Sequence, residues 1–185
     1  MTDRAADKAQ ARKTAFARRK AAHAHQRAAA SAALLEHLQG TAGFVIAGYL
    51  PIRTEADPLP AMTALVQENQ ICVPVVEDQG RPLSFRAWRP GGALEEGPFG
   101  VMVPSSGASL VPEVLIVPLL AFDAALYRLG YGGGFYDRTL SALRASGPVR
   151  AIGFAYAAQG VERLPVEPTD QSLDAVVTES GLLPA

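Results

Sequence analysis

The chain has few of the residues that build disulfides, zinc sites and membrane spans. Its 185 residues include one cysteine, one tryptophan and three histidines. A lone cysteine cannot form an internal disulfide, which fits a reducing compartment, and the apolar run around Cys72 indicates a buried, inert thiol. No apolar segment approaches the roughly 20 residues of a membrane span, and no hydrophobic leader follows the charged N-terminus. We therefore expect a cytoplasmic protein with no membrane partner.

Histidine, cysteine and serine motifs for catalysis are also missing. His23 and His25 are two residues apart, so on a helix they point to nearly opposite sides and cannot share a metal. One cysteine and these histidines cannot form a structural zinc site. Ser105 and Ser106 lack the Gly-x-Ser-x-Gly pattern of a nucleophile elbow. Zinc chemistry and covalent serine catalysis are therefore not expected.

Positive charge is concentrated at the N-terminus of an otherwise acidic chain. The composition is that of a globular protein, with 49% hydrophobic and 19% charged residues. Residues 1–30 carry eight Lys or Arg against two acids, which leaves −7 for the rest of a chain of net charge −1. Three interpretations remain open: a solvated helix face, an organelle transit peptide, or cations that reach a polyanionic ligand. Lys8 and Arg12, spaced i, i+4, would share one helix face.

Nucleic-acid binding is not expected from this basic segment. The remainder of the chain is acidic, and neither an aromatic-interleaved basic stripe nor zinc-finger spacing occurs.

Apolar and helical segments alternate along the chain in the manner of an α/β protein. A long alanine-rich helix is predicted over residues 3–38. Strands are predicted at 43–50, 71–76, 83–88, 114–122, 149–155 and 175–178, and further helices at about 60–69 and 138–145. Residues 90–112, rich in Gly, Pro and Ser, are predicted to be loop. This order predicts a mostly parallel sheet of about six strands covered on both faces, with ligands beyond the C-terminal ends of the strands.

The most informative segment is Arg128–Asp137, which reads Arg-Leu-Gly-Tyr-Gly-Gly-Gly-Phe-Tyr-Asp. A strand, a glycine loop and a helix in this order present backbone N–H groups to a phosphate. A turn with no ligand is the alternative. The segment is not a P-loop, because Gly-Lys-Ser/Thr does not occur in it. It is not a dinucleotide fingerprint either, because Phe135 stands where Gly-x-Gly-x-x-Gly needs glycine.

Carboxylates are the candidate metal ligands, since hard oxygen donors suit Mg²⁺ beside phosphate. Asp137 and Asp170 are the two candidates. Each has a structural alternative: Asp137 as the N-cap of a helix, and Asp170 as a turn residue after Pro168. Glu55 falls beyond the C-terminal end of a predicted strand, where ligands bind in such sheets, and a surface-loop position is its alternative.

The glycine segment and its flanks resemble the signature of the 5-formyltetrahydrofolate cyclo-ligase family, also called methenyltetrahydrofolate synthetase. Val117-Pro118 and Ala121-Phe122-Asp123 precede the segment, as in that signature. Lys8 and Arg12 resemble the family's ATP-contacting pair, and Leu50 through Glu55 resemble its folate-contacting segment. Further matches follow in family order, so that the resemblance covers residues 8–180; they are Phe99-Gly100-Val101, Gly153-Phe154, Gln159, Leu164-Pro165, Glu167, Asp170, Leu173-Asp174 and Thr178-Glu179.

The resemblance implies a single-domain three-layer α/β/α sandwich over residues 1–185 and a ligase of folate and one-carbon metabolism. Such an enzyme uses ATP and Mg²⁺ to convert 5-formyltetrahydrofolate into 5,10-methenyltetrahydrofolate, with release of ADP and phosphate. Carried over by position, the ATP-binding residues are Lys8, Arg12, Arg128, Leu129, Gly130, Tyr131, Gly132, Gly133, Gly134, Phe135 and Tyr136. The folate-facing residues are Leu50, Glu55, Tyr131, Gly132, Gly133, Gly134 and Phe135. Asp137 and Asp170 would hold Mg²⁺, and Arg128 and Tyr131 would act in catalysis.

The expected partners are two small molecules, ATP and 5-formyltetrahydrofolate, bound by a monomer or a weak homodimer. Tyr131, Phe135 and Trp88 are the aromatic residues available to stack on a pterin ring. Core packing is the alternative for at least one of them.

Four positions depart from the family pattern. Leu126 and Leu119 stand where glycines are usual, Val103 replaces a polar residue, and Thr169 replaces a histidine or an aromatic residue. Val103 and Leu126 leave open a second function, a paralogue on the same scaffold that phosphorylates another small molecule. A third function that remains open is a non-enzymatic nucleotide- or folate-binding module.

Overall fold

The computed structural model describes residues 4–184, which form an α/β fold. In chain order the elements are α1 (Arg4–Leu38), β1 (Val45–Ala47), α2 (Leu59–Leu65), β2 (Gln70–Val75), β3 (Ser84–Ala87), β4 (Leu94–Glu96), β5 (Met102–Pro104), β6 (Val114–Pro118), β7 (Ala121–Phe122), β8 (Arg128–Leu129), α3 (Phe135–Ser146), β9 (Arg150–Phe154), β10 (Ala175–Thr178) and β11 (Gly181–Pro184). Short 3-10 turns lie at Pro98–Gly100 and Ala157–Gln159.

A seven-stranded sheet forms the centre of the described residues, in the order β11-β10-β9-β6-β1-β2-β3. The inner strands run parallel, while β3 and β11 close the two edges in antiparallel orientation. Ile46 of β1 pairs with Ile71 of β2 on one side and with Val114 of β6 on the other. Inner strands of this kind are nearly continuous apolar runs because both of their faces are covered. The predicted mostly parallel sheet is confirmed.

Helices cover both faces of this sheet. On one face, Leu34 of α1 and Met62 of α2 share a buried cluster with Ile116. On the other face, Leu140 of α3 shares a second cluster with Leu115. The two neighbouring β6 residues thus point to opposite faces, as successive side chains of a strand do. The three-layer α/β/α arrangement is confirmed.

Helix α1 changes character along its length. Its second half buries an apolar stripe that includes Leu34 and Leu38, whereas its first half buries the charged side chain of Arg19. The helix predicted over 3–38 is confirmed from residue 4, and Asp3 lies outside the described residues. The apolar half anchors the helix on the sheet, so the polar half is held at the edge where the parallel strands end.

Several predicted boundaries are wrong, each for a local reason. The sheet has a seventh strand, β11, which was not predicted because its residues are exposed and show no apolar alternation. Residues 90–112 contain the hairpin β4–β5, whose short strands are hidden among glycines and prolines. The predicted strand 114–122 is two strands, β6 and β7. Helix α3 begins at Phe135 rather than Arg138, since Gly134 takes a left-handed φ of +64° and starts the helix earlier.

Cys72 is buried in β2, as predicted, and burial raises the pKa of its thiol to about 12. Across residues 4–184, no helix combines the length and the apolar character that crossing a bilayer requires.

Candidate functional site

A cleft of about 1520 Å³ opens beyond the C-terminal ends of β1, β2 and β6. Its walls are the start of α1, the loop at 48–58, the glycine loop (residues 130–134) and the turn at 167–171. All the predicted site residues line it; they are Lys8, Arg12, Leu50, Glu55, Arg128, Leu129, Gly130, Tyr131, Gly132, Gly133, Gly134, Phe135, Tyr136, Asp137 and Asp170. Residues that are far apart in the sequence are therefore brought to one site.

The aromatic lining differs from the prediction at one position. Trp88 does not line the cleft and packs against the core cluster beneath α1 and α2. Phe99, which was matched only as part of a weak motif, lines the cleft instead. Its ring lies edge-on to that of Phe135, with 6.3 Å between the ring centroids. Tyr131, Phe135 and Phe99 are thus the aromatic rings at the cleft.

The glycine loop adopts a backbone conformation that requires glycine. Gly132 has a φ of +102°, and a Cβ atom there would lie 3.2 Å from the guanidinium carbon of Arg12. Gly134, with its φ of +64°, occupies the N-cap position of α3 and supplies no side-chain cap. The first N–H groups of α3 consequently lack intrahelical acceptors, and Phe135 and Tyr136, which carry them, line the cleft. This is the arrangement that binds anions at helix N-termini.

Basic residues of α1 reach the glycine loop and the turn at 167–171. Arg12 Nε donates a hydrogen bond to the Gly130 carbonyl at 3.1 Å. Lys8 Nζ lies 3.3 Å from Asp170 Oδ2 and 3.3 Å from Glu167 Oε2. The interpretation of this basic run as a solvated helix face therefore holds for part of the run and not for Lys8 and Arg12. Lys8 and Arg12 belong to the cleft, while neighbours such as Lys13 remain exposed.

The two candidate metal ligands are neighbours through one turn. Asp137 Oδ1 accepts hydrogen bonds from Arg128 Nη2 at 2.7 Å and from the Gln171 N–H at 3.0 Å. Asp170 Oδ2 accepts from Lys8 and from the Glu167 N–H at 2.8 Å. Asp137 is the third residue of α3 and not its N-cap, so that alternative is wrong. Asp170 does belong to a turn, and it lines the cleft as well.

These carboxylates suit a metal that also takes phosphate ligands. The side chains of residues 8–184 include no group of three or more His, Cys, Asp or Glu that could hold a metal ion by themselves. Asp137 Oδ2 and Asp170 Oδ1 make no hydrogen bond to residues 8–184 and are available as ligands. Mg²⁺ is commonly bound by one or two carboxylates together with substrate phosphates and water. The donor set therefore fits Mg²⁺ at a phosphate site.

Arg128 fastens α3 to the turn at 167–171. It lies in β8, which pairs with β7 and leads into the glycine loop. Its side chain is 4% exposed, with Nη2 on Asp137 and Nη1 donating to the Gln171 carbonyl. Burial lowers the pKa of this guanidinium, and the neighbouring Asp137 carboxylate opposes that change. Arg128 thus orients Asp137 and the turn at 167–171, and the positive charge of Arg128 lies at the cleft.

The opposite wall centres on Glu55, which is 5% exposed. The surface-loop alternative for this residue is therefore wrong. Glu55 Oε2 accepts the Ile52 N–H at 2.9 Å, and Oε1 accepts the Tyr131 hydroxyl at 2.7 Å. Burial raises the pKa of Glu55, while these hydrogen bonds and nearby Arg19 act in the opposite direction. Burial and the Glu55 carboxylate together raise the pKa of Tyr131, which remains a hydrogen-bond donor at neutral pH.

Arg19 is a residue of this wall that the sequence reasoning missed. Its Nε donates to Thr54 Oγ1 at 3.2 Å, and Nη1 lies 3.8 Å from Glu55 Oε1. Its Nη1 and Nη2 groups are buried without a hydrogen-bond partner among the described residues, and each such donor costs about 1–3 kcal/mol. The sequence gives only its face: Lys8, Arg12 and Arg19 follow at intervals of four and seven, which places them on one side of the helix.

The same face of α1 continues as a polar ladder beyond Arg19. The His23 ring nitrogen Nδ1 lies 2.9 Å from the Tyr156 hydroxyl, and Arg27 Nη2 donates to Asp57 Oδ2 at 2.6 Å. Ser31 Oγ donates to the Asp57 carbonyl at 2.8 Å. The ladder attaches the loop at 48–58 to the helix and so fixes the position of the wall that carries Glu55.

A family model described as the 5-formyltetrahydrofolate cyclo-ligase family matches residues 4–179. The chain belongs to this family. A 5-formyltetrahydrofolate cyclo-ligase of Escherichia coli strain K12 is 53% identical over 68 residues, which are 37% of this chain and 37% of that protein. The chain thus aligns with little more than a third of that relative. A cyclo-ligase of Mycolicibacterium smegmatis is 30% identical over 146 residues, 74% of each chain.

A solved structure supports the same grouping. The NMR structure of Aquifex aeolicus 5,10-methenyltetrahydrofolate synthetase matches with a TM-score of 0.78 and 30% identity, over 96% of this chain and 92% of that one. The predicted family and the predicted fold are both confirmed.

Three of the four departures from the family pattern lie away from the cleft. Leu119, Val103 and Leu126 are buried and do not line it, whereas Thr169 does. Leu126 has a φ of +60°, the left-handed conformation in which glycine is unstrained. Its leucine side chain is buried in the cluster beneath α3, which compensates for the roughly 1–2 kcal/mol of strain. The turn before the glycine loop therefore keeps a glycine-like backbone without glycine.

Proposed function

We propose that this chain is a 5-formyltetrahydrofolate cyclo-ligase, one domain over residues 1–185, that depends on ATP and Mg²⁺. It would convert 5-formyltetrahydrofolate into 5,10-methenyltetrahydrofolate and release ADP and phosphate. The observation that carries the proposal is the single cleft in which the glycine loop and its cations face Glu55. We call the glycine loop with Lys8, Arg12, Arg128, Asp137 and Asp170 the phosphate wall, and Leu50 with the Glu55 loop the folate wall.

The phosphate wall supplies donors and positive charge for ATP. The N–H groups at the start of α3 offer hydrogen bonds to phosphate oxygens, and residues 128–136 surround the nucleotide. Lys8 and Arg12 add charge from α1. Phosphoryl transfer needs mainly positioning and neutralisation of charge, which these groups provide.

Asp137 and Asp170 would hold Mg²⁺ through the oxygens left free by Arg128 and Lys8. When bound, the ion would neutralise charge on the phosphate oxygens. Arg128 keeps the Asp137 carboxylate pointing into the cleft, because it holds one oxygen of that carboxylate and the adjacent turn.

The folate wall would take the pterin ring. The Glu55 carboxylate accepts N–H groups of the ring, Leu50 packs beside it, and Tyr131 and Phe135 offer aromatic faces at the boundary between the two substrates. The glycines at 132–134 allow both substrates to approach the backbone closely.

The chemistry explains why both walls share one cleft. A formamide carbon is a poor electrophile, and its oxygen is a poor leaving group. Transfer of the γ-phosphoryl group of ATP to the formyl oxygen creates a good leaving group. N10 then attacks the formyl carbon and loses its proton, and the C–O bond breaks to release phosphate. Arg128 would stabilise charge on the phosphoryl group, and the protonated Tyr131 would donate a hydrogen bond near the reacting oxygen.

The test is to incubate the purified protein with ATP, Mg²⁺ and 5-formyltetrahydrofolate and follow the methenyl chromophore. Product should form with one ADP for each methenyl group, and omission of ATP or Mg²⁺ should abolish it. Absence of product at high enzyme concentration, with ATP still bound, would favour a paralogue acting on another small molecule. Thr169 in the cleft lining is the observation that supports this second candidate. Binding of ATP and folate with no turnover of either would favour a binding module.

A further inference from the structure

Arg19 is a buried cation with unused donors. No part of it is exposed, and its Nη1 and Nη2 make no hydrogen bond to the described residues. Buried polar groups in folded proteins are nearly always satisfied, so an exception has a specific cause. The direction of the side chain is fixed, because its Nε donates to Thr54 Oγ1.

The unused donors lie beside Glu55. Arg19 Nη1 is 3.8 Å from Glu55 Oε1, within ion-pair range but too far for a hydrogen bond. The Tyr131 hydroxyl donates to that same oxygen at 2.7 Å. Two donors therefore compete for one carboxylate oxygen, and in this structure Tyr131 holds it.

The two donors differ in how firmly they are held. Tyr131 is 42% exposed and lies in the glycine loop between two glycines. The Arg19 guanidinium carbon lies 5.3 Å from the Phe16 ring centroid and 5.5 Å from that of Tyr131. A ligand that draws the glycine loop toward itself would remove the tyrosine hydroxyl from Glu55. The carboxylate would then be a buried charge in need of another partner.

We propose that Arg19 is a positioning residue that keeps the Glu55 carboxylate ionised and aimed at the cleft, and that it becomes the main partner of this carboxylate when Tyr131 leaves it. An approach of about 1 Å would turn the present ion pair into a charge-assisted hydrogen bond. The Nη donors that make no hydrogen bond in this structure are thus available to bind Glu55. The consequence for folate binding rests on the proposed function, whereas the control of Glu55 ionisation does not.

Among the side chains of residues 8–184, no other buried cation acts on Glu55. The titratable and charged groups that face it from the surrounding elements are Arg19 from α1, Arg53 from its own loop, Tyr49 after β1, Tyr131 from the glycine loop and Tyr136 from α3. Burial raises the pKa of all three tyrosines, so they are uncharged at neutral pH. Arg53 is exposed, and solvent screens its charge.

The direct test follows the Glu55 carboxyl carbon by NMR in ¹³C-glutamate-labelled, ligand-free protein over a pH series. Its signal is identified by its loss in Glu55→Gln. We expect Arg19→Met to move the Glu55 titration to higher pH, because a stabilising cation is lost. Arg19→Lys should move it less, and Arg18→Met, at the exposed neighbouring position, should leave it unchanged. A Glu55 titration in folded Arg19→Met that coincides with that of the wild type would overturn the proposal.

Folding of the variants provides a second measurement. Arg19→Met leaves Glu55 without its cation, so this variant should melt at a lower temperature than the double variant Arg19→Met/Glu55→Gln, in which neither charge remains. Should Arg19→Met fail to fold, recovery of a cooperative thermal transition in the double variant supports the proposal. Lack of recovery would contradict it, because the defect would then arise from lost packing around Arg19.

The effect on folate is measured separately. The KM for 5-formyltetrahydrofolate should rise roughly tenfold in Arg19→Met, because one charge-assisted hydrogen bond is lost. The KM for ATP should change less, within about twofold, since Arg19 meets the phosphate wall only at the Tyr131 ring and not at its cations or carboxylates. A rise in the KM for ATP alone would contradict the assignment to Glu55. If the wild type makes no product, the proposed function fails, and the carboxyl titration still decides the role of Arg19.

Discussion

The two walls of the cleft are built in opposite ways. The centre of the phosphate wall is a short continuous segment, Arg128–Asp137, whose backbone offers its donors and whose Tyr131 is 42% exposed. The folate wall centres on the buried Glu55 carboxylate, which has Arg19 of a distant helix within ion-pair distance. The phosphate wall relies on glycine conformation, and the folate wall relies on paired charges that are buried away from water. Substitutions should therefore affect them differently, and each wall should fail separately.

The largest effect is expected at the carboxylates of the phosphate wall. Asp137→Asn removes charge at the proposed Mg²⁺ site and leaves Arg128 buried without its anionic partner, so turnover should fall about 100-fold. The Mg²⁺ concentration for half-maximal rate should also rise. Both are measured by titrating Mg²⁺ at saturating ATP. Asp78→Asn, on an exposed turn, is the matched control. Wild-type turnover in Asp137→Asn would remove this residue from the metal site.

The next effect tests whether the glycine loop acts through its backbone. Gly132→Ala imposes a side chain at a φ of +102° and close to Arg12, so ATP affinity should fall about 30-fold, or about 2 kcal/mol. Gly130→Ala is the control, since its Cβ would meet nothing within 4 Å and its φ is not in the left-handed region. Affinity is measured by calorimetry with ATP and Mg²⁺. Equal losses in both variants would show that the conformation at 132 is not required.

A smaller, pH-dependent effect is expected at the folate wall. Glu55→Gln should weaken 5-formyltetrahydrofolate binding about tenfold and leave ATP binding unchanged. Burial raises the pKa of Glu55, and binding needs the carboxylate, so wild-type affinity should be constant at high pH. It should fall as the pH drops through that pKa, sooner than for an exposed glutamate. The variant should lack this acid limb, which folate titrations at several pH values would detect. An unchanged pH profile would separate Glu55 from folate binding.

The smallest effect on activity is expected at Leu126. Leu126→Gly relieves left-handed strain but loses a buried side chain, so the free energy of unfolding should fall by about 1–3 kcal/mol. Leu126→Ala loses the side chain and keeps the strain, and it should be less stable than the glycine variant by about 1 kcal/mol. Urea unfolding measures both. Turnover should stay within about twofold, because Leu126 does not line the cleft. A large loss of turnover in both variants would show that this turn contributes to the phosphate wall.

Whether an element of the fold could be predicted depends on whether its burial leaves an apolar pattern in the sequence. The inner parallel strands are buried on both faces, so their apolar runs are visible in the sequence. Strand β11 could not be found in this way, since its four residues are exposed and their pairing depends on the neighbouring β10. The hairpin β4–β5 was hidden for a similar reason, because three-residue strands between glycines and prolines have no pattern of their own.

The two walls also differ in how far the sequence predicts them. The glycine segment could be recognised because its function lies in consecutive residues. Arg19 could not, because a lysine- and arginine-rich helix gives no local sign of which cation will be buried. Burial was decided by the docking of α1 on the loop that carries Thr54 and Glu55. The spacing from Lys8 and Arg12 placed Arg19 on the right face, but only tertiary packing gives it a partner.

The contact between Lys8 and Asp170 joins residues 162 positions apart in the chain. During synthesis, the segment that carries Asp170 emerges long after α1, so the phosphate wall cannot be completed until residue 170 has left the ribosome. Contacts of such long sequence separation form late, because the intervening chain must first be ordered. A chain that stops before residue 170 could build most of the sheet and still lack a working cleft, which makes nucleotide binding a sensitive reporter of completed folding.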